Sequence, residues 1–295
     1  MDKRRAAAVT RALEAHVTVE PAAAGPLRTI SLQATREIAG RFSLEPREVE
    51  LAAVQAEIMP RRYQRNLGTV GWEGQARLLA SCVAVVGCGG LGGWIAEGLA
   101  RMGVGRLKLV DGDCYDEDNL NRQLGCLEET LGRPKVEVLA ERIGRVNAAT
   151  ELRCYATRLT ADNATDLLHG ADLVVDALDN VPSRLDLEAA AEALGLPLVH
   201  GAVAGHMGQV TTLFPGDGAL SRLYSQGAVP PRGVETKLGN PAATPMLVAA
   251  WELAEAVKIL CGEELSLRRR LLFIDTLYGE VREIGWEPDA SSPKA

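Results

Sequence analysis

A glycine-rich turn between a predicted strand and a predicted helix constrains this chain more than any other feature. Residues 83–86 form a short continuous apolar run, which predicts a buried strand, and residues 87–92 read Gly-Cys-Gly-Gly-Leu-Gly. Helix-forming residues occupy 91–102. Glycines at such a junction permit a tight turn and let backbone N–H groups approach a phosphate. The segment therefore predicts a Rossmann-type site for a nucleotide.

Strands and helices continue to alternate after this turn, which predicts a mostly parallel sheet covered on both faces. Near the C-terminal end the strands follow one another without this rhythm, so we expect antiparallel additions to the sheet. The expected fold class is α/β, with a Rossmann-like sheet and antiparallel C-terminal strands. The predicted elements are strands at 107–110, 151–156, 173–176, 208–214, 271–274 and 281–284 and helices at 135–146, 162–169 and 245–261.

The first 60 residues differ from the rest, because they are rich in alanine and favour helices. Ser43 followed by Pro46 predicts a helix start, with the helix running toward Ile58 and ending before Pro60. We expect a helical extension over residues 1–60, a nucleotide-binding domain over 61–287 and a disordered tail over 288–295. The Gly- and Pro-rich span at 215–243 is too long for an ordinary connection and predicts a functional loop.

Charge and composition exclude several classes of protein. The chain has 295 residues and a formal net charge of −7, which argues against sequence-independent binding of nucleic acid. No apolar run reaches the length of a membrane span, and the first residues lack a signal-peptide block, so we expect a cytoplasmic protein. The six cysteines form no Cys-x-x-Cys pair, which predicts reduced thiols and no structural zinc.

An acidic residue and a series of polar motifs follow the glycine turn. Asp111 ends the next predicted strand, where a carboxylate can accept hydrogen bonds from ribose hydroxyls. Glycine turn and Asp111 together leave the choice between a dinucleotide and ATP open. Later motifs favour ATP, because a triphosphate needs cations and Arg122 and Lys135 supply them near the turn. Asp179 could hold Mg²⁺.

The ordered motifs resemble those of the ThiF/MoeB/HesA adenylyltransferases, bacterial relatives of ubiquitin-activating enzymes. The resemblance covers residues 61–286. It rests on the following segments: Arg-Tyr-Gln-Arg at 62–65, Asp-Gly-Asp at 111–113, Asn-Leu-Asn-Arg-Gln at 119–123, Gly-Arg-Pro-Lys at 132–135 and Asp-Ala-Leu-Asp-Asn at 176–180. Together, these segments imply that residues 61–287 form an adenylation domain.

The resemblance also implies a reaction and a set of site residues. The C-terminal Gly-Gly carboxylate of a ubiquitin-like sulfur-carrier protein would attack the α-phosphorus of ATP, giving an acyl-adenylate and pyrophosphate without a protein nucleophile. Arg65 would reach the ATP of a neighbouring subunit, which implies a homodimer. The implied nucleotide-binding residues are Gly87, Gly89, Gly90, Gly92, Asp111, Asp113, Asn119, Arg122 and Lys135, with Asp179 for magnesium and Arg65, Arg122, Lys135 and Asp179 as the catalytic set.

The chain departs from the family at its cysteines. Many members bind zinc through two Cys-x-x-Cys pairs that are missing here, and residues 215–245 contain no cysteine for a covalent carrier intermediate. Adenylation alone is therefore expected, with sulfur transfer left to another protein. Cys88 and Cys126 lie close to the predicted nucleotide site, where packing is the favoured interpretation and a reactive thiol is the alternative.

Two further polar features have ordinary interpretations. His200 and His206 bracket a predicted turn at 201–205, and packing or carrier contact is favoured over a metal site. Residues 268–270 read Arg-Arg-Arg and could contact an acidic patch on a carrier or remain solvated.

Other functions remain open at this stage. One is a tRNA-modifying dehydratase of the same fold, which would activate a tRNA-borne carboxylate; the acidic charge argues against it. Another is a non-catalytic scaffold that binds a carrier, against which the retained cations and Asp179 argue. A NAD-dependent dehydrogenase is the least favoured function, because the sequence has no recognisable hydride-transfer site.

Overall fold

The structure, a computed structural model, describes residues 3–22, 25–218, 220, 224, 235–264 and 266–285. The tail predicted at 288–295 lies outside these residues, as do residues 219, 221–223 and 225–234 of the span predicted as a functional loop. The helices have these bounds: α1 Lys3–Ala15, α2 Leu32–Phe42, α3 Pro46–Gln55, α4 Leu67–Ala80, α5 Gly92–Met102, α6 Lys135–Val146, α7 Ala164–Leu168, α8 Val181–Ala193, α9 Glu235–Leu238 and α10 Ala243–Cys261. None of these helices is long and apolar enough to cross a membrane.

The strands form two sheets. Their bounds are β1 Thr18–Glu20, β2 Leu27–Ile30, β3 Met59–Pro60, β4 Cys82–Val86, β5 Arg106–Val110, β6 Glu151–Tyr155, β7 Leu173–Asp176, β8 Leu198–Ala204, β9 Met207–Leu213, β10 Arg270–Asp275 and β11 Glu280–Gly285. The larger sheet has the order β11-β10-β9-β8-β7-β4-β5-β6. Strands β4 to β8 run parallel to one another, whereas β9, β10 and β11 are added antiparallel. This arrangement confirms the predicted fold class.

Both faces of the parallel sheet are buried. Val83 and Val85 of β4 point to one side, where α5, α6 and α10 pack, and Ala84 and Val86 point to the other, where α7 and α8 pack. Successive side chains of a strand alternate between faces, and a strand that is covered twice must be apolar throughout. The continuous apolar run that predicted β4 therefore has its cause in this double burial.

Residues 3–60, which we name the N-terminal unit, contain more than the predicted helices. Besides α1, α2 and α3, this unit contains three short strands, which form a separate sheet of order β1-β2-β3. These strands have only two to four residues each, too few for a period-2 pattern to be recognised. The predicted cap at Ser43 was wrong: Ser43 ends α2 in the left-handed region at φ 46°, and Glu45 caps α3, which ends at Gln55.

Candidate nucleotide-binding site

Three loops meet at the carboxyl edge of the parallel sheet. Val86 of β4 lies in register with Val110 of β5 and with Asp176 of β7, so the three strands end side by side. The Gly87 N–H donates to the Val110 carbonyl at 2.8 Å, and the Ala177 N–H donates to the Val86 carbonyl at 2.9 Å. In open parallel sheets this edge is where ligands bind.

The glycine turn needs glycine at two positions for steric reasons. Gly87 has φ +93°, and a Cβ there would lie 2.4 Å from the Ala177 carbonyl oxygen. At Gly92 a Cβ would lie 1.8 Å from the Gly87 carbonyl oxygen. Helix α5 begins at Gly92, and the first N–H groups of a helix have no partner within it. The turn therefore directs a tightly packed backbone and a helix N-terminus toward the edge, the usual setting for a phosphate.

Residues 122 and 123 lie over this turn. A Cβ built on Gly89 would be 3.5 Å from Gln123 Nε2, and one on Gly90 would be 3.6 Å from Arg122 Cγ. Arg122 Nη1 donates to the Asp118 carbonyl at 2.7 Å. The structure thus places the aliphatic stem of Arg122 beside the glycine turn, and a contact of its guanidinium with a nucleotide stays a prediction.

Asp111 supports the glycine turn from below. Its Oδ2 accepts from the Cys88 N–H at 2.7 Å and its Oδ1 accepts from the Asp113 N–H at 2.8 Å. Burial raises the pKa of the Asp111 carboxyl, against the effect of Lys135 and the two N–H donors. Each carboxylate oxygen retains a second lone pair, so a ribose contact stays a prediction for this residue.

Two cations meet at Asp113. Lys135, buried at the start of α6, has its Nζ 3.3 Å from Asp113 Oδ2, and Arg158 Nη2 lies 3.0 Å from Asp113 Oδ1. Partial burial acts to raise the pKa of the Asp113 carboxyl, but Lys135 and Arg158 together lower it. Arg158 was not predicted from the sequence. Its position just after β6, at the same edge as Lys135, is the feature that could have identified it.

The last two predicted residues differ in accessibility. Asn119 is buried in its own turn, where its Oδ1 accepts from the Asp116 N–H at 3.3 Å. Asp179 is exposed, and its Oδ1 accepts from the Asn180 side-chain amide at 3.3 Å. Those residues contain no group of three His, Cys, Asp or Glu side chains that could hold a metal. Magnesium typically takes one or two carboxylates together with phosphates and water, so the single carboxylate of Asp179 suits that mode.

A buried ionic network lies behind the Asp179 loop. Asp176 and His200 are fully buried, with His200 Nδ1 2.7 Å from Asp176 Oδ2. Arg184 Nε lies 3.8 Å from the same oxygen, and its Nη2 donates to the Leu178 carbonyl at 2.5 Å. Burial would raise the pKa of the Asp176 carboxyl, but Arg184 and His200 hold it below its usual value. Arg184 therefore fixes the loop that carries Asp179.

Most of this network was not predicted, because apart from Asp176, which begins the motif at 176–180, its members belong to no recognised motif and meet only in the fold. Arg184 also donates to the Tyr224 hydroxyl at 3.2 Å and to the Gly201 carbonyl at 3.3 Å. Glu252 of α10 packs its carboxyl group against Gly201, and within the described residues neither of its oxygens has a hydrogen-bond partner. Burial, with Asp176 nearby, raises the pKa of Glu252 well above its usual value.

The histidines do not form a metal pair. His200 is occupied by Asp176, and burial lowers its pKa, whereas His206 is exposed with its Nδ1 3.2 Å from Thr276 Oγ1. The predicted turn at 201–205 was wrong, because β8 continues through Ala204 and pairs with β9 in a long hairpin. Only residues 205 and 206 form the turn.

The two cysteines near the site are packed thiols. Cys88 is fully buried, and Cys126 Sγ lies 3.5 Å from the Asp116 carbonyl oxygen. Burial raises the pKa of both thiols, whereas reactive cysteines have a lowered pKa. The favoured interpretation from the sequence, packing, agrees with this geometry.

The basic run at 268–270 is paired within the chain. Arg268 binds Asp217 through two nitrogens, with Nε 2.9 Å from Oδ2, and Arg269 Nε lies 3.6 Å from Asp217 Oδ1. Arg270 Nη1 lies 3.3 Å from Glu283 Oε2. These arginines tie β10 to its neighbours, so they do not form a free basic patch.

Arg65 is the one predicted residue that the structure keeps away from the others. Its neighbour Asn66 donates to the carbonyl of Met102, the last residue of α5, at 3.3 Å. Helix α5 has 11 residues and starts at the glycine turn, so its two ends are about 16 Å apart. Arg65 therefore lies at the amino edge of the sheet, too far from the glycine turn to contact a nucleotide in its own chain.

The fold and the site together define an α/β protein of the nucleotide-binding type, with the cations Arg122, Lys135 and Arg158 at the carboxyl edge of its sheet. Comparison with known proteins gives its family. The family model described as "ThiF family" matches residues 63–293, so the chain belongs to the ThiF family. The protein is an adenylyltransferase, as the sequence predicted.

Individual relatives agree with this assignment. The SAMP-activating enzyme E1 of Haloferax volcanii is 38% identical over 222 residues, which cover 73% of this chain and 81% of that protein. The sulfur carrier protein adenylyltransferase of Thermus thermophilus is 38% identical over 232 residues, 76% of this chain and 86% of that protein. Among solved structures, E. coli MccB with ATP has a TM-score of 0.66 at 20% identity, covering 78% of this chain and 73% of MccB, which shows a shared fold.

Proposed function

We propose that this protein uses ATP and Mg²⁺ to adenylate the C-terminal Gly-Gly carboxylate of a ubiquitin-like sulfur-carrier protein. The observation that carries the proposal is the meeting of the glycine turn, Arg122, Lys135 and Asp179 at one edge of the sheet. The names of two relatives, a SAMP-activating enzyme and a sulfur carrier protein adenylyltransferase, support the choice of a protein carrier.

The reaction needs charge neutralisation and positioning more than a protein nucleophile. A carrier carboxylate oxygen attacks the α-phosphorus, an acyl–phosphate bond forms, and the bond to the β-phosphate oxygen breaks with release of pyrophosphate. Arg122 and Lys135 would bind phosphate oxygens as negative charge moves onto the leaving group. Asp179 would hold Mg²⁺, which shields phosphate charge when it is bound.

We propose further that the active form is a homodimer in which Arg65 acts on the partner's nucleotide. Support comes from the position of Arg65 at the amino edge, because a residue there cannot reach the glycine turn of its own chain. The absence of cysteine from residues 215–245 supports adenylation without a covalent carrier intermediate. Zinc is not part of the proposal, and sulfur transfer would belong to another protein.

Two alternatives make different predictions. A tRNA-modifying dehydratase of the same fold would bind tRNA, for which the net charge of −7 is unfavourable. A non-catalytic scaffold would bind a carrier without turning over ATP, and the site described above argues against this, since it keeps both cations and Asp179. Nucleic acid is therefore not a proposed partner.

The test is carrier-dependent ATP–pyrophosphate exchange. Purified protein is mixed with Mg²⁺, ATP, labelled pyrophosphate and a panel of ubiquitin-like sulfur carriers, each compared with its form lacking the terminal Gly-Gly. We expect exchange with one intact carrier and loss of exchange with Arg122→Ala and Asp179→Ala. Arg153→Ala on exposed β6 serves as the matched control and should exchange like the wild type. Absence of exchange with every carrier despite ATP binding would favour the scaffold, and tRNA-dependent ATP turnover would favour the dehydratase.

A further inference from the structure

The segment that carries Arg65 is held by a buried carboxyl group from the N-terminal unit. Glu50 of α3 is 1% exposed, and its Oε2 accepts from the Tyr63 hydroxyl at 2.8 Å. Arg62 Nε lies 3.3 Å from Glu50 Oε1. Two consecutive residues that shortly precede Arg65 are thus bound to one side chain of the N-terminal unit.

The same hydrogen-bond network reaches the main domain through Asn147. The Asn147 amide donates to the Tyr63 hydroxyl at 2.9 Å and to the Ala100 carbonyl near the end of α5 at 2.8 Å. Arg62 also donates to Asn147 Oδ1. Tyr63 is therefore fixed between α3 on one side and the α5 and α6 ends on the other.

The segment is fixed on the far side of Arg65 as well. The Asn66 amide donates to Gln75 Oε1 at 3.0 Å and to the Met102 carbonyl at 3.3 Å. Gln75 is fully buried and itself donates to Met102 at 3.0 Å. Side-chain hydrogen bonds therefore hold the chain on both sides of Arg65, at Tyr63 and at Asn66.

Arg65 itself is treated differently from its neighbours. Its side chain is exposed, and within the described part of the chain it forms no hydrogen bond or ion pair, whereas Arg62 is consumed by Glu50 and Asn147. When the backbone that carries a cationic side chain is already held in place, little backbone conformational entropy is lost as that side chain binds. This is the arrangement expected of a group that must be held ready for another molecule.

We infer that the N-terminal unit is a clamp that positions Arg65 for the nucleotide of a second copy of this chain, with Glu50 as the positioning residue. The inference rests on the proposed homodimer. It gives the N-terminal unit a role in the partner's reaction through the position of Arg65.

Hybrid dimers test the clamp. Two differently tagged chains are co-expressed and purified through both tags, one carrying Arg122→Ala and the other Arg65→Ala. Only one site is then complete, in which the Arg65→Ala chain supplies the nucleotide pocket and the Arg122→Ala chain donates Arg65. The readouts are ATP affinity of the complete site and, with a responding carrier, ATP–pyrophosphate exchange.

Glu50→Ala is placed in either chain of this hybrid. In the donor chain we expect a loss of about 10- to 100-fold, because a displacement of about 1 Å costs this much in a positioned group. In the receiving chain we expect a change of less than about twofold. Glu50→Gln in the donor chain keeps an acceptor for Tyr63, so it should recover most of the lost ATP affinity and exchange. Glu37→Ala, an exposed acid of the same unit, is the matched control and should have no effect in the donor chain.

Each possible outcome decides a different statement. Equal losses from Glu50→Ala in both chains would show a general folding role and overturn the clamp, and so would no loss in either. If the hybrid without Glu50→Ala were as inactive as its two parents, the action of Arg65 on the partner would be wrong and the clamp with it. Where exchange fails with every carrier but ATP affinity follows the donor chain, the clamp stands and the proposed carrier reaction falls.

Discussion

The two edges of the parallel sheet are built from different kinds of interaction. At the carboxyl edge, the glycine turn lies beside the cations Arg122, Lys135 and Arg158, and Asp179 is exposed. At the amino edge, Glu50, Tyr63 and Asn147 close over one another with little access to water. The residues expected to bind the ligand lie at one edge, and those that attach the N-terminal unit lie at the other, one strand length away. Substitutions at the two edges should therefore have different consequences.

The largest effect is expected at the carboxyl edge from Lys135→Met. The substitution keeps the aliphatic stem and removes the ammonium group, so ATP–pyrophosphate exchange should fall by about 100- to 1000-fold, the usual loss for one electrostatic contact to a transition state. Unfolding by urea should change much less, because Arg158 still pairs with Asp113. A loss of folding stability large enough to explain the lost exchange would contradict the separation of the two edges.

A second large effect is expected from Gly92→Ala. A Cβ at Gly92 would lie 1.8 Å from the Gly87 carbonyl oxygen, so the turn must open, and ATP binding should be lost together with about 2–4 kcal/mol of stability. Gly144→Ala in α6 is the control, since a Cβ there meets nothing within 4 Å and alanine favours a helix by about 0.5–1 kcal/mol. Calorimetric ATP titration and urea unfolding check both; normal ATP binding by Gly92→Ala would refute the steric argument.

The same comparison explains what the sequence could predict. The carboxyl edge was predictable because its residues follow strand ends within short motifs, and parallel strands bring their ends together. Arg158 escaped because its partner Asp113 is distant in sequence, and Arg184 escaped because it belongs to no motif that was recognised. At the amino edge, Tyr63 links Glu50 to Asn147 only through the fold, and no residue type in this set suggests the link. Local patterns thus predicted the fold class, which the structure confirms, and a nucleotide site at the carboxyl edge, which stays a prediction, whereas the clamp needed the tertiary structure.

Beneath the carboxyl edge, Glu252→Gln should change how stability depends on pH. Burial raises the folded pKa of Glu252 well above 4.5, so the folded state keeps a proton that the unfolded state has lost. That contribution is complete below about pH 4.5 and falls as pH rises toward the folded pKa, by up to about 1.4 kcal/mol per pH unit.

The glutamine is neutral at every pH, so the variant should gain stability over the wild type as pH rises from about 4.5 to 8. Urea unfolding across this range, with His200→Gln measured beside it, gives the comparison. His200 acts in the opposite direction, because its lowered pKa makes stability rise with pH below about 6.5. A stability difference between Glu252→Gln and wild type that is constant with pH would show that Glu252 is ionised in the folded protein.

The smallest of these effects is expected at the amino edge from Tyr63→Phe. The substitution removes one buried hydroxyl that donates to Glu50 and accepts from Asn147, and a net loss of about 1 kcal/mol in the free energy of unfolding follows. Asn147 keeps its bond to the Ala100 carbonyl, which limits the loss. Tyr278→Phe removes a hydroxyl from a side chain that is 75% exposed and should leave the urea midpoint unchanged. Equal midpoints for both variants would mean that the amino edge is held by apolar packing, so the contrast between the two edges would lie in access to water alone.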